Sequence, residues 1–254
     1  MNEMNTEHFG WLSGNEALDP VKKTILFLHG AGQNSRFWTQ QLNALSHRFN
    51  TVALDLPGHN RSEGPSLKNI PEMAEAVRQF IAEAKLPNPV PCGLSMGGAI
   101  VLQMLLDEPE RFKEAILINT GAKLKVLPEI LDAVKHNYEA YRTALFHFGV
   151  PSANRTDEVK LAIHRASEPT GDAAYTDLLA CDAFDVMDRL HTISARTLVV
   201  GSEKDLSTPL KYAKVLRDKI NYGSFSIIEG CGHFSPLESP DEVSQVMEDF
   251  LSGV

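Results

Sequence analysis

The sequence predicts an α/β fold: a mostly parallel sheet with helices on both faces. Three observations predict it. Short apolar runs rich in branched residues recur along the chain, stretches with helical spacing lie between them, and the composition is that of a globular protein. Of 254 residues, 43% are hydrophobic and 22% charged, far from the low-hydrophobicity, high-charge composition of a disordered chain. A chain of this length accommodates one large α/β core carrying an insertion.

In chain order, the apolar runs are Thr24 to Leu28 (TILFL), Thr51 to Leu54 (TVAL), Ala115 to Ile118 (AILI), Thr197 to Val200 (TLVV) and Phe225 to Ile228 (FSII). Each has the length and branching of a buried strand. Helical spacing marks Glu72 to Ala84, Ala99 to Leu106, Leu210 to Ile220 and Asp241 to Leu251. Strands alternating with helices imply parallel pairing covered on both faces. Residues 121–190 break this rhythm, since they hold no convincing strand and a structureless loop of that length is implausible. Pro128 to Phe148 and Thr156 to Arg165 read as helices. The expected organisation is therefore a core of residues 1–120 and 191–254 with a helical cap over 121–190.

The chain carries 24 Lys plus Arg against 33 Asp plus Glu, a formal charge of -9. That balance works against a polyanionic partner, so nucleic acid is not expected to bind. Met1 to His8 (MNEMNTEH) has neither the basic start nor the apolar run of a secretory signal. No apolar stretch approaches the 18 or so residues of a membrane span. A cytoplasmic protein without membrane association is expected, and the oligomeric state leaves no mark in the sequence. Cys92, Cys181 and Cys231 are an odd set without CxxC spacing, so neither a disulfide framework nor a zinc site is indicated. Cys92 and Cys231 lie close in sequence to Ser95 and His233, which puts both thiols near the candidate chemistry.

The sharpest motif is Gly93-Leu94-Ser95-Met96-Gly97-Gly98, a G-x-S-x-G pattern just before a helical stretch. A serine lifted out of a sheet on a tight strand-to-helix turn needs small residues two positions either side, and the following helix aims free N–H groups at it. At ordinary glycine and serine usage the pattern arises by chance in roughly one such chain in ten. Context must carry the argument. Asp205 follows the TLVVG strand in a loop before a helix, where it reads either as an acid partner or as a helix cap, with Glu203 as a neighbouring competitor. His233 follows FSII on a glycine-flanked loop, Gly230-Cys231-Gly232-His233. The order serine, acid, histidine fits a nucleophile with its base and orienting carboxylate. His29-Gly30-Ala31-Gly32 ends the TILFL strand, and the backbone N–H groups of Ala31 and Met96 are the candidate oxyanion donors.

FLHGAG, DLPGHNRS, GLSMGG, GSEKDLSTP and GCGHFSPLESP, in that order, resemble the serine-hydrolase branch of the α/β-hydrolase superfamily, with landmarks from residue 25 to about 250. The resemblance implies an eight-stranded, mostly parallel sheet, a helical cap inserted after strand six, and Ser95, Asp205 and His233 as a catalytic triad. It implies no cofactor and no metal. Two departures stand out. Where relatives read GHGxS this chain has His59-Asn60-Arg61-Ser62, and asparagine is the non-glycine residue best suited to positive φ. Pro89 and Pro91 crowd the strand before Ser95, which predicts a very short or irregular strand there.

These features point to hydrolysis of a carboxylic ester of a small, largely uncharged substrate through an acyl-enzyme. The serine sets aside haloalkane dehalogenases and the epoxide hydrolases that use an aspartate at this position. A lactonase or C–C bond hydrolase shares the same machinery, and GLSMGG with LINTGAK resembles the enol-lactonase group slightly. A ligand receptor that kept the hydrolase shape is the alternative of another class. Tyr138, Tyr141, Phe146 and Phe148 are the aromatic candidates for lining a pocket, with helix packing favoured for most.

Overall fold

Every apolar run read above is a strand in the computed structural model, which describes residues 1–168 and 170–253. The strands are Asn2–Asn5 (β1), Gly10–Ser13 (β2), Thr24–Leu28 (β3), Asn50–Leu54 (β4), Pro89–Leu94 (β5), Glu114–Ile118 (β6), Arg196–Ser202 (β7) and Gly223–Ile228 (β8). They form one sheet in the order β1-β2-β4-β3-β5-β6-β7-β8. The β1–β2 and β2–β4 pairings are antiparallel and all others parallel. Eight strands is the number the resemblance implies, and the N-terminal hairpin of β1 and β2 supplies two of them without an apolar run in the sequence to mark it.

The α-helices are Thr39–Leu45 (α1), Ile70–Glu83 (α2), Met96–Asp107 (α3), Pro128–His136 (α4), Tyr138–Gly149 (α5), Asp157–Ala166 (α6), Gly171–Asp182 (α7), Leu210–Lys219 (α8), Ser235–Glu238 (α9) and Pro240–Ser252 (α10). Side chains alternate across each strand, so the sheet separates two cores. Leu26 and Leu28 pack with Met73, Val77 and Phe80 of α2, the apolar α3, and Leu216 of α8. Ile25 and Phe27 face the other way, onto Leu42 and Leu45 of α1 and Val243 and Met247 of α10. Helix α3 is buried from Met96 through Leu106, the pattern of a helix enclosed by sheet and neighbours.

Two local expectations need correction. The prolines do not shorten β5, which runs six residues. Pro89 and Pro91 pair with Thr24 and Leu26 of β3, whereas pairing with β6 begins only at Cys92. The residues that lack an N–H thus occupy the half of the strand with one neighbour, an edge-like setting that tolerates proline. Pro128 to Phe148 is not one helix either. Asn137 breaks it at φ -152° and ψ 68°, and its side chain accepts the Ala140 N–H as the cap of α5. Helices α4 to α7 all lie between β6 and β7.

Candidate active site

Ser95 sits where β5 turns into α3, at φ 54° and ψ -114°. This left-handed conformation costs a non-glycine residue about 1–3 kcal/mol and persists only where surroundings dictate it. The flanking glycines show how. A Cβ on Gly93 would stand 2.1 Å from the Gly97 carbonyl carbon, and one on Gly97 would stand 2.2 Å from the Leu28 carbonyl oxygen. Both contacts are with backbone, so α3 reaches this close to β3 and β5 only because neither position carries a side chain. The Ser95 N–H donates to the Ile118 carbonyl (3.1 Å), and Thr120 Oγ1 donates to the Ser95 carbonyl (2.7 Å).

Asp205 and His233 meet across two loops. His233 Nδ1–H donates to Asp205 Oδ2 at 2.8 Å, with the carboxylate fully buried. Ser207 N–H and Thr208 N–H donate to Asp205 Oδ1 (2.8 and 2.9 Å), and Thr208 Oγ1 donates to Oδ2 (2.7 Å). Burial pushes the Asp205 pKa up, but the charge and hydrogen bond of His233 and the Thr208 donors outweigh it and hold the carboxyl below its ordinary value. An ionised carboxylate at Nδ1 keeps that nitrogen protonated and leaves Nε2 as the basic atom. The competitor Glu203 is engaged elsewhere, accepting the Gly230 N–H at 2.9 Å.

A short segment after β6 ties the serine turn to the histidine loop. Next to the Ile118 carbonyl that holds Ser95, Asn119 donates from Nδ2 to the Gly232 carbonyl (3.3 Å), the His233 carbonyl (3.0 Å) and Ser235 Oγ (3.0 Å). Asn119 has φ 44°. In sequence Asn119 is one polar residue within LINTGAK, with nothing local to mark this role. The His233 N–H donates to the Gly149 carbonyl at the end of α5 (2.7 Å). The candidate oxyanion loop lies beside the serine, since a Cβ on Gly30 would fall 3.6 Å from Ser95 Cβ. Met96 opens α3, where helix geometry leaves the first N–H groups without an internal partner.

A buried polar cluster behind this loop escaped the sequence reading. His59 Nε2 and Asp177 Oδ2 are 3.0 Å apart with both side chains essentially inaccessible. Asp177 projects from α7, a helix without a predictive pattern, and 118 residues separate it from His59. Burial lowers the His59 pKa, but the Asp177 carboxylate, with help from Glu168 and the Pro57 carbonyl, carries it up to about 9. His29 goes the opposite way, pushed down to about 3 by burial and by the His59 charge. Asn60 takes positive φ (42°) as its chemistry suggests. Among the aromatic candidates, Tyr138 and Tyr141 stack at 6.1 Å, Phe146 is core, and Phe148 is exposed. The three thiols are buried and free. Burial raises all three pKa values, Cys231 to about 12, so none has the thiolate character of a redox sensor. Among the described residues, no cluster of His, Cys, Asp or Glu could hold a metal ion, and no helix is long and apolar enough to cross a membrane.

The sequence model of the alpha/beta hydrolase family matches residues 25–246, and the chain belongs to that family. It is a hydrolase of the fold that the sheet and the strand-to-helix serine turn define. Its relatives include a Rhizobium rhizogenes protein named "Putative carbamate hydrolase RutD", 28% identical over 91% of this chain and 94% of that one. Another is 3-oxoadipate enol-lactonase 1 of Acinetobacter baylyi, 24% identical over 91% of this chain and 89% of the relative. Among solved structures, the enol-lactonase of Burkholderia xenovorans LB400 superposes with a TM-score of 0.87 at 22% identity, covering 99% of this chain and 100% of that one.

Proposed function

We propose that the protein hydrolyses a small, largely uncharged carboxylic ester, with Ser95 as nucleophile, His233 as general base and Asp205 as its orienting acid. The observation that carries this is the buried Asp205–His233 hydrogen bond at 2.8 Å, set on the same sheet end as a serine in strained backbone geometry. His233 Nε2 takes the Ser95 hydroxyl proton as Oγ bonds to the carbonyl carbon, and the carbonyl π electrons move onto oxygen. The Ala31 and Met96 N–H groups stabilise that oxyanion. Its collapse breaks the C–O bond to the alkoxide, which leaves with the proton from His233. Water then attacks the acyl-enzyme by the same proton path and releases the acid and free Ser95.

The surroundings of the Gly30–Gly32 loop support an uncharged substrate. Asp177 and Glu168 stand behind the loop, and His59 pairs with Asp177, an arrangement that disfavours a carboxylate-bearing acyl group. Lactones are cyclic esters and meet the same machinery, and the enol-lactonase relative favours them as the second reading. Ser95→Ala should lower turnover of a short-chain p-nitrophenyl ester at least about ten-thousandfold and abolish fluorophosphonate labelling. Retained turnover would overturn the nucleophile assignment. Single-turnover binding without hydrolysis would favour a receptor, and exclusive turnover of lactones in a mixed panel would reverse the order of the two substrates.

A further inference from the structure

The loop that carries the Ala31 N–H is gripped on three successive peptide planes. The Gly30 carbonyl, which shares its plane with the Ala31 N–H, accepts from His29 Nδ1–H (2.9 Å) and the Gln33 N–H (3.2 Å). His29 Nε2 in turn accepts the Leu56 N–H (3.2 Å), so this histidine is a neutral ring with one donor and one acceptor nitrogen. The next plane is held by the Gly32 N–H, which donates to Asp177 Oδ2 (2.8 Å). The third is held at the Gly32 carbonyl by the Glu168 N–H (2.9 Å). Asp177 and Glu168 both come from the segment between β6 and β7. A trans peptide plane points its N–H opposite its carbonyl, so grips on both sides of Ala31 fix the direction of the Ala31 donor.

The acid in this clamp poses an electrostatic problem. Asp177 Oδ1 has no hydrogen-bond partner among the described residues, and an uncompensated carboxylate beside the loop would repel an oxyanion forming there. His59 answers it. Its Nδ1 lies 3.1 Å from the Pro57 carbonyl and its Nε2 3.0 Å from Asp177 Oδ2, two acceptors that call for both ring protons and hence a cation. We propose that Asp177 and His59 form a positioning pair for the oxyanion hole, in which Asp177 orients the loop through Gly32 and His59 cancels the charge that this orientation requires. Neither residue touches substrate. This rests on the Ser95 reading given above, and it makes the segment between β6 and β7 a determinant of rate.

The pair predicts an order among variants that simple loss of packing does not. Removing one oxyanion donor costs about 10²–10³ in kcat, so loosening the loop through Asp177→Asn should lower kcat about 10- to 100-fold with KM within about threefold. His59→Gln, which leaves the carboxylate uncompensated, should lose more, and Asp177→Asn/His59→Gln should recover part of that loss. Inhibition by a trifluoromethyl ketone, whose adduct places an oxyanion in the hole, should weaken in parallel with kcat, whereas inhibition by a non-reactive ester isostere should not. Asp172→Asn, on the exposed start of α7, should leave kcat unchanged. Either member of the pair decides the matter alone if the other fails to fold. Unchanged kcat in a folded variant, or a double variant worse than His59→Gln, overturns the pairing. Loss of turnover in Ser95→Ala with unaltered kcat in Asp177→Asn would end this inference alone, while retained turnover in Ser95→Ala would end both.

Discussion

Raising the pH from 6.5 to 9 should unfold this protein more easily, and the buried histidines set the size of the effect. His59 has its pKa raised from 6.5 to about 9, the attraction of Asp177 winning over burial. A group raised on folding contributes its full stabilisation below the unfolded pKa and loses it as pH rises through the folded one. At about 1.4 kcal/mol per unit, proton uptake by His59 stabilises the fold by about 3 kcal/mol at pH 6.5 and by nothing above pH 9. His29, pushed down to about 3 chiefly by burial, acts on the other flank. Its folded form refuses a proton that the unfolded chain accepts, so stability falls as pH drops below 6.5. A stability maximum near pH 6.5 results. Urea unfolding followed by circular dichroism at constant ionic strength reads it directly. The useful window is pH 6.5 to about 8.5, because the three buried thiols add their own downward slope once free cysteine begins to ionise. Stability that stays flat across that window, or an alkaline slope that persists in His59→Gln, would refute the assignment.

The geometry of the serine turn, the acid loop and the buried thiols fixes three further outcomes. Asp205→Asn keeps the shape of the acid but lets His233 take the wrong tautomer, so kcat should fall about ten-thousandfold in protein that retains a native circular dichroism spectrum. Gly97→Ala drives a methyl group to 2.2 Å from the Leu28 carbonyl oxygen, and the needed shift of α3 against the β3 loop should lower kcat at least about a hundredfold, measured beside the circular dichroism spectrum. Iodoacetamide at about pH 8 should leave Cys92, Cys181 and Cys231 unmodified in the native protein and alkylate all three in concentrated guanidinium, as read by intact mass. Rapid native labelling at Cys231 would show that its loop opens.

The sheet and the serine, acid and histidine loops were legible because their signals are local. A buried parallel strand is a run of branched residues, and a strained turn announces itself by glycines within two positions. The hairpin of β1 and β2 gave no such signal: β1 is largely exposed and polar, and β2 is four residues long. Pro89 and Pro91 misled because the number of neighbours a strand has at each residue is a property of the assembled sheet. Asn137 is compatible with a helix interior in sequence, and only its side chain's capping of the next helix marks the break. Asp177 leaves the least trace in sequence. A fully buried acid in the middle of a helix looks like a solvent-facing one in sequence, and only the fold reveals its partner.

Exchanging the whole segment between β6 and β7 with that of a homologue would change more than the segment itself. In this protein the graft would also withdraw the Gly149 carbonyl from the His233 backbone and the Asp177 and Glu168 contacts from Gly32. His59 would be left behind on the recipient without the carboxylate that raises its pKa, and burial would drive it to the neutral ring. Chimeras built here should therefore be designed with the donor's equivalents of positions 29–34 and 59–60 carried along, as one inherited block.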